Sequence, residues 1–185
     1  NIAEIHAAGA SFLKIYEMVT PEVFAAIVEE AGARNLPIDG HVPLSMRARD
    51  VAPHVQSLEH LRNYEMDCVS DPDLWLATRQ AELENVADEP GNVLRSKLHE
   101  LQRLTAITNE DPLVCAETTK ALKATITVPT LRMNSMDLYV PFDRDDFDRA
   151  MDLIPASVSE EWRDARDALA ASEEAVDTTF AEWSL

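Results

Sequence analysis

Basic residues are scarce in this chain, and long apolar runs are missing. Its 185 residues include 16 lysines and arginines, only four of them lysines, against 34 acidic residues, which gives a formal net charge of −18. Such a surface repels polyanions and disfavours nucleic acids and anionic lipids as partners. No run approaches the roughly 20 apolar residues of a membrane span. A solubilising acidic surface accounts for this charge balance, and an acidic patch that steers a cationic substrate is the alternative.

Cysteine is almost absent as well. The two cysteines, Cys68 and Cys115, do not have the spacing of a metal-binding motif. They could form a disulfide, but the sequence does not require one, so cysteine usage identifies no cellular compartment. The length and the hydrophobic content of 46% fit one globular domain with a core of its own.

Strands and helices alternate along the chain. Apolar patterning and turn residues predict strands at 11–16, 38–42, 57–61 and 125–132. Predicted helices run from Pro21 to about Gly32, over 46–54, three times between 71 and 125, over 144–152, and from Ser157 to about Trp183. The early rhythm of strand, helix and strand predicts parallel pairing through crossover helices. The predicted fold class is therefore α/β.

Three residues of the predicted strands suggest a site. Lys14 lies in the apolar run Phe12-Leu13-Lys14-Ile15-Tyr16, and His41 and His60 each close one of the next two strands. Burying an ammonium group costs several kcal/mol unless another group compensates it. The carboxyl ends of parallel strands lie at one edge of the sheet, where α/β proteins bind ligands. One metal site shared by the three side chains would supply the compensation.

Each of these residues also has a structural interpretation. A lysine in a strand commonly lies at a sheet edge or extends its amine to water, and a lone histidine near a strand end is commonly a structural hydrogen-bonding residue. Three such residues at the same end of consecutive strands favour the metal site. Asp39 and Glu59 flank the histidines and are predicted to make supporting hydrogen bonds. The other histidines are predicted to be structural or on the surface: His6, His54 and His99.

Four segments of the chain form an ordered set, namely Gly9-Ala10-Ser11-Phe12-Leu13-Lys14-Ile15-Tyr16, Gly40-His41-Val42-Pro43, Ser57-Leu58-Glu59-His60-Leu61 and Val128-Pro129-Thr130-Leu131. In order and spacing they resemble the metal-dependent amidohydrolase superfamily, and within it the imidazolonepropionase- and prolidase-like group of amidohydrolase-related proteins. The segment Ile154-Pro155-Ala156-Ser157-Val158 with Trp162 is also similar to that group, whereas 65–125 matches only weakly. The resemblance covers most of the chain.

The resemblance implies a distorted (β/α)8 barrel, of which this chain would hold strands four to seven and a helical insertion. It implies that Lys14 is carboxylated by carbon dioxide to a carbamate that bridges two divalent ions, with His41 and His60 as further ligands. The ions would be zinc or a similar metal. Such a pair activates water, here for hydrolysis of a C–N bond in an amide, a dipeptide or a cyclic amide.

Two elements of the family pattern are missing from the chain. It has no His-x-His of strand one, and the strand-eight aspartate is expected beyond Leu185, so no catalytic residue is predicted within the chain itself. We therefore expect an internal fragment of one catalytic domain, inactive and poorly stable in isolation because its strand edges are open. Its predicted parts are the site region 1–64, the helical insertion 65–125, and the strand and final helices 126–185. The alternatives are a mononuclear hydrolase with unmodified Lys14 and a non-catalytic half-barrel or helical interaction module.

Overall fold

The computed structural model of the protein describes residues 1–60, 62–85, 89–130 and 146–171. The chain divides into two compact units, Asn1–Thr130 and Leu131–Leu185. The first unit contains a parallel sheet and most of the helices, and the described part of the second unit contains two helices. Within the described ranges, no helix is both long enough and apolar enough to cross a membrane.

The sheet has four parallel strands in the order β1-β2-β3-β4. The strands are β1 Leu13–Ile15, β2 Ile38–Gly40, β3 Ser57–Glu59 and β4 Ile126–Val128. The predicted α/β class and the four predicted strand positions are therefore confirmed. Each strand is only three residues long and so shorter than predicted, and positions 61, 131 and 132 of the predicted strands lie outside the described residues.

Helices connect and follow the strands. They are α1 Ile2–Ala7, α2 Pro21–Gly32, α3 Ala48–Val51, α4 Pro72–Glu84, α5 Gly91–Leu98, α6 Leu104–Thr108, α7 Pro112–Ala121, α8 Phe147–Met151 and α9 Ala156–Ala171, with a π-helical turn at His99–Arg103 between α5 and α6. Three of them begin with a capping side chain followed by proline at the first helical position: Thr20, Asp71 and Asp111. The helices from α2 onward match the predicted positions to within a few residues, with α5 and α6 together forming the second of the three helices predicted between 71 and 125. Positions 144 and 145 of the helix predicted over 144–152, and the predicted end of the last helix, lie outside the described residues.

The two faces of the sheet differ in burial. Leu13 and Ile15 of β1 are buried, whereas the alternating residues Phe12, Lys14 and Tyr16 are exposed by about half. We call the side of the sheet that carries these three residues the open face. The prediction that Lys14 is buried in apolar surroundings is wrong for this chain, because its side chain is 48% exposed. The energetic cost of burying an ammonium group, from which the metal site was predicted, therefore does not arise at Lys14 in this chain.

Gly40 lets β1 and β2 approach each other closely beside the predicted site. Its φ of +133° is unfavourable for side chains, and a Cβ atom there would overlap the carbonyl oxygen of Ile15 and lie 2.9 Å from the Ile15 nitrogen. We expect Gly40→Ala to lower the free energy of unfolding by about 2–3 kcal/mol, through backbone strain and overpacking. Urea denaturation of the two proteins measures this difference.

Gly32→Ala is the matched control for Gly40→Ala. A Cβ atom at Gly32, the last residue of α2, would meet no other atom within 4 Å. Replacing a helical glycine by alanine raises stability by about 0.5–1 kcal/mol when nothing clashes. Equal effects of the two substitutions would contradict the close approach of β1 and β2.

The helical region after β3 packs around buried polar side chains as well as apolar ones. Leu94 and Leu98 of α5 form an apolar cluster with Leu44, which follows β2. Arg79 of α4 is almost fully buried; its Nε donates to Gln102 Oε1 at 2.7 Å and its Nη1 donates to Asn63 Oδ1 at 2.9 Å. A disulfide joins Cys68 to Cys115 and attaches the turn after β3 to α7. The pairing that the sequence left undecided is therefore formed.

Candidate metal centre

The two predicted histidine ligands lie directly after neighbouring strands, and each is held through the same ring nitrogen. His41 follows β2, and its Nδ1 is 2.9 Å from Glu17 Oε1. His60 follows β3 in a left-handed conformation with φ of 67°, and its Nδ1 is 2.8 Å from Thr130 Oγ1. Both contacts leave Nε2 available on the other side of the ring. Each imidazole is therefore oriented by a side chain from another part of the chain, His41 by Glu17 and His60 by Thr130.

The Nε2 atoms of both histidines converge on Glu59. Its Oε2 lies 3.6 Å from His41 Nε2 and 3.3 Å from His60 Nε2, and the two imidazole centroids are 4.8 Å apart. One ligand atom from each of these three residues lies within 4.8 Å of the other two. Imidazole nitrogens and carboxylate oxygens are ligands suited to zinc and similar divalent ions. The geometry therefore fits a metal centre at the carboxyl ends of β2 and β3.

Lys14 reaches this cluster through Glu59. Its Nζ donates a hydrogen bond to Glu59 Oε2 at 2.7 Å, although the lysine is on β1 and the glutamate at the end of β3. The structure thus brings the three predicted residues Lys14, His41 and His60 to one place, with Glu59 in the middle. The sequence predicts only a supporting hydrogen bond for Glu59, because its position beside His60 does not reveal how far its carboxylate reaches.

The electrostatic environment suits metal binding by neutral imidazoles. Burial lowers the pKa of His60, and the neighbouring His41 lowers it further. The hydrogen bond from Lys14 lowers the pKa of Glu59, which keeps its carboxylate ionised. His41 Nε2 is buried and has no hydrogen-bond partner within the described part of the chain. A buried nitrogen left without a partner is costly, and a bound cation would satisfy it.

Glu17 is a site residue that the sequence pattern does not reveal. It follows β1 and is fully buried, and its carboxylate accepts hydrogen bonds from His41, Arg95 and His99. Burial raises the pKa of Glu17, but the hydrogen bonds from His41 and His99, together with the charge of His99 and the Arg95 bond, lower it far more strongly, well below its usual range. Its only sequence signal is an acidic residue three positions after Lys14.

The remaining predicted polar residues have structural contacts. Asp39 accepts a hydrogen bond from Ser57 at 2.7 Å, which agrees with its predicted supporting role. His6 is exposed at the end of α1, and His54 is exposed and packs edge-on against Phe24. His99, predicted to be structural or on the surface, is largely buried, and its Nε2 lies 3.2 Å from Glu17 Oε2.

A comparison with solved structures shows that the fold of the chain is similar to a known fold. The chain superimposes on AH, Bottromycin amidohydrolase, with a TM-score of 0.54 and 21% sequence identity over 97% of its own length. The fold resembles part of an amidohydrolase. The chain spans only 34% of that protein, about a third of its length. Neither a protein-family profile nor a curated protein sequence matches the chain.

Chemically, the cluster offers two nitrogen donors and one carboxylate on a partly open surface. The Nε2 atoms of His41 and His60 and the oxygen of Glu59 can together bind one divalent ion, and Lys14 supplies an amine beside them. Tyr16 lies next to the cluster on the open face, with its ring 4.4 Å from that of His41. The site therefore combines metal-ligand side chains with an exposed aromatic ring beside them.

Proposed function

We propose that this chain carries part of the active site of a metal-dependent hydrolase that cleaves C–N bonds in amides, dipeptides or cyclic amides. One observation carries the proposal: the Nε2 atoms of His41 and His60 converge with the Glu59 carboxylate where strands of an amidohydrolase-like fold end. The substrate would be a small molecule or a dipeptide. A divalent ion, with zinc as the first choice, would supply Lewis-acid activation of water and of the scissile carbonyl.

The protein's own residues prepare this site in three ways. Glu17 and Thr130 hold the imidazole rings through Nδ1, so that Nε2 of His41 and of His60 is directed at the cluster. Burial favours the neutral form of His60, which is the form that binds a metal. The negative charge of Glu59 attracts a cation. These are orienting and electrostatic roles that exist before any ligand binds.

We further propose that Lys14 is carboxylated and takes part in metal binding as a carbamate. Its Nζ lies 2.7 Å from the Glu59 oxygen that also faces both histidines, so the two oxygens of a carbamate formed on Nζ would lie near the imidazoles. The ammonium group of Lys14 first loses one proton; the neutral amine then forms a bond from Nζ to the carbon of carbon dioxide, and the nitrogen loses a second proton to give the carbamate anion. A mononuclear site with unmodified Lys14 is the second candidate, favoured by the Lys14–Glu59 ion pair.

The chain would correspond to strands four to seven of a (β/α)8 barrel. Two observations support this proposal: the chain spans 34% of the amidohydrolase that it resembles, and the open face exposes Phe12 and Tyr16. Further strands would cover that face and supply more ligands, including the expected aspartate. Membership of the imidazolonepropionase- and prolidase-like group remains part of this proposal.

Zinc binding tests the proposed function most directly. We expect the metal-free protein to bind zinc in a calorimetric titration, and His41→Ala and His60→Ala each to weaken binding about 100-fold. This estimate assigns about 3 kcal/mol to each ligand of a site worth roughly 10–16 kcal/mol in total. His6→Ala and His54→Ala, which replace exposed histidines, are the matched controls and should bind like the wild type.

Two results would contradict the proposed function. One is a wild-type protein that binds neither zinc nor manganese, which would favour a non-catalytic module. The other is zinc binding that survives His41→Ala and His60→Ala together. Hydrolysis of a panel of amides and dipeptides, measured on the protein at its full natural length with and without a chelator, then identifies the substrate class.

A further inference from the structure

We propose that Glu17 is a positioning residue that fixes His41 with its proton on Nδ1, and that the helical segment Gly91–Arg103 belongs to the site because it holds Glu17. The effect on metal affinity rests on the proposed function. The effect on His41 itself does not, because it concerns contacts within the protein alone. No pattern in the sequence assigned either role.

The two oxygens of Glu17 divide their contacts between the site and the helical segment. Oε1 lies 2.9 Å from His41 Nδ1 and 3.6 Å from Arg62 Nη1. Oε2 accepts hydrogen bonds from Arg95 Nε and from His99 Nε2, the latter at 3.2 Å. The carboxylate is fully buried, so it is rigidly placed between the end of β1 and the helical segment.

This arrangement determines which nitrogen of His41 carries the proton. A carboxylate that faces two arginines is ionised, and an ionised carboxylate only accepts hydrogen bonds. His41 Nδ1 must therefore donate to Glu17. A neutral imidazole has one N–H group, so the lone pair of Nε2 remains free on the side that faces Glu59 and His60. Metal-binding histidines are commonly oriented by such a carboxylate behind the ring.

The helical segment contacts His41 by a second route as well. The Arg95 guanidinium carbon lies 5.5 Å from the centroid of the Tyr16 ring, and that ring is 4.4 Å from the ring of His41. Arg95 therefore supports the histidine both through Glu17 and through Tyr16. Leu94 and Leu98 of the same helix are buried against Leu44, which fixes the helix in place. A helix with these contacts is part of the site and not a separate interaction surface.

Two measurements on Glu17→Gln test the role of Glu17. In the metal-free protein at about pH 8, nitrogen-15 spectra should show His41 protonated on Nδ1 and not on Nε2. Glu17→Gln should give a mixture of both His41 tautomers, because an amide can either accept or donate a hydrogen bond. Glu17→Asp keeps a carboxylate at this position and should therefore keep the wild-type tautomer. Zinc affinity should fall about 10- to 100-fold in Glu17→Gln, as is typical when a partner behind a ligand is lost.

Glu29→Gln is the matched control, since Glu29 is an exposed glutamate of α2. It should change neither the His41 tautomer nor the zinc affinity. The helical segment is tested by His99→Gln and Arg95→Lys, which leave Glu17 in place. Each should weaken zinc binding several-fold while circular dichroism remains that of the wild type. These two variants decide the question if Glu17→Gln does not fold.

The outcomes separate the inference from the proposed function. An unchanged His41 tautomer and a zinc affinity within about twofold of the wild type in Glu17→Gln would overturn the positioning role. Wild-type zinc affinity in both His99→Gln and Arg95→Lys would overturn the role of the helical segment. If the wild type binds no zinc but its His41 tautomer depends on Glu17, the proposed function fails while the positioning role stands.

Discussion

In the protein at its full natural length, replacing Lys14 by alanine is expected to reduce the number of bound zinc ions per chain from two to one. The carbamate of Lys14 would provide a ligand that both ions share, so its loss is expected to remove the second ion. Short carboxylic acids such as acetate should restore the second ion, because they can occupy the space of the missing carbamate. Elemental analysis after removal of free zinc counts the ions, and bicarbonate is kept in the buffer.

The zinc binding of Glu59→Gln, together with the ion counts of the wild type and of Lys14→Ala, distinguishes the carbamate from the mononuclear alternative. If Lys14 is unmodified, its role is the ion pair with Glu59, and Glu59 is then the oxygen ligand of a single ion. In that case Glu59→Gln weakens the binding of the one ion, whereas Lys14→Ala leaves the count at one. A count of one ion in the wild type, with no response to carboxylic acids in Lys14→Ala, would contradict the carbamate. Lys120→Ala serves as the control for a lysine outside the cluster.

The largest effect on stability is expected for Arg79→Ala, at about 3–5 kcal/mol. Arg79 is 1% exposed and donates hydrogen bonds to Asn63 and Gln102. Its positive charge also interacts favourably with the negative charge of the buried Glu65. Burial raises the pKa of Glu65, and the charges of Arg103 and Arg79 counteract this effect. Removing Arg79 takes away one of the two positive charges that face Glu65 and leaves the side-chain oxygens of Asn63 and Gln102 without this donor. Urea denaturation measures the loss.

Two comparison variants isolate the reason for this loss. Arg34→Ala removes a partly exposed arginine whose ion pair with Glu30 spans one helical turn, and it should cost less than about 1 kcal/mol. Glu65→Gln, added to Arg79→Ala, should recover part of the stability because it removes the carboxylate that Arg79 opposes. A loss of less than about 1 kcal/mol in Arg79→Ala would show that the network is not a source of stability.

The sequence was sufficient to predict the strands and to place the two histidines together. Apolar alternation locates β1, β2 and β3, and parallel pairing brings the residues that follow β2 and β3 to one edge, which is where His41 and His60 lie. Alternation also correctly groups Phe12, Lys14 and Tyr16 on one face. It does not reveal which face is covered, so the burial of Lys14 was predicted wrongly.

Glu17 was beyond the reach of the sequence for a different reason. Its partners Arg95 and His99 lie 78 and 82 positions further along the chain, in a segment whose placement depends on tertiary packing. A local pattern carries no information on such contacts. Likewise, the distance that joins Glu59 to Lys14 depends on two side-chain conformations on non-adjacent strands. The strand pattern therefore predicts where a site lies, and the packing of the helices decides which groups complete it.

The bond between Cys68 and Cys115 has a consequence for the unfolded chain. The two residues are 47 positions apart, and the segment between them includes Arg95 and His99. Closing a loop of that length removes conformational entropy from the unfolded ensemble equivalent to about 4 kcal/mol at 25 °C in the chain-entropy treatment. Even when α5 detaches, the ring of covalent bonds limits how far these two side chains can move from the strand ends. The residues that hold Glu17 thus stay near the turn that follows β3 even before folding begins.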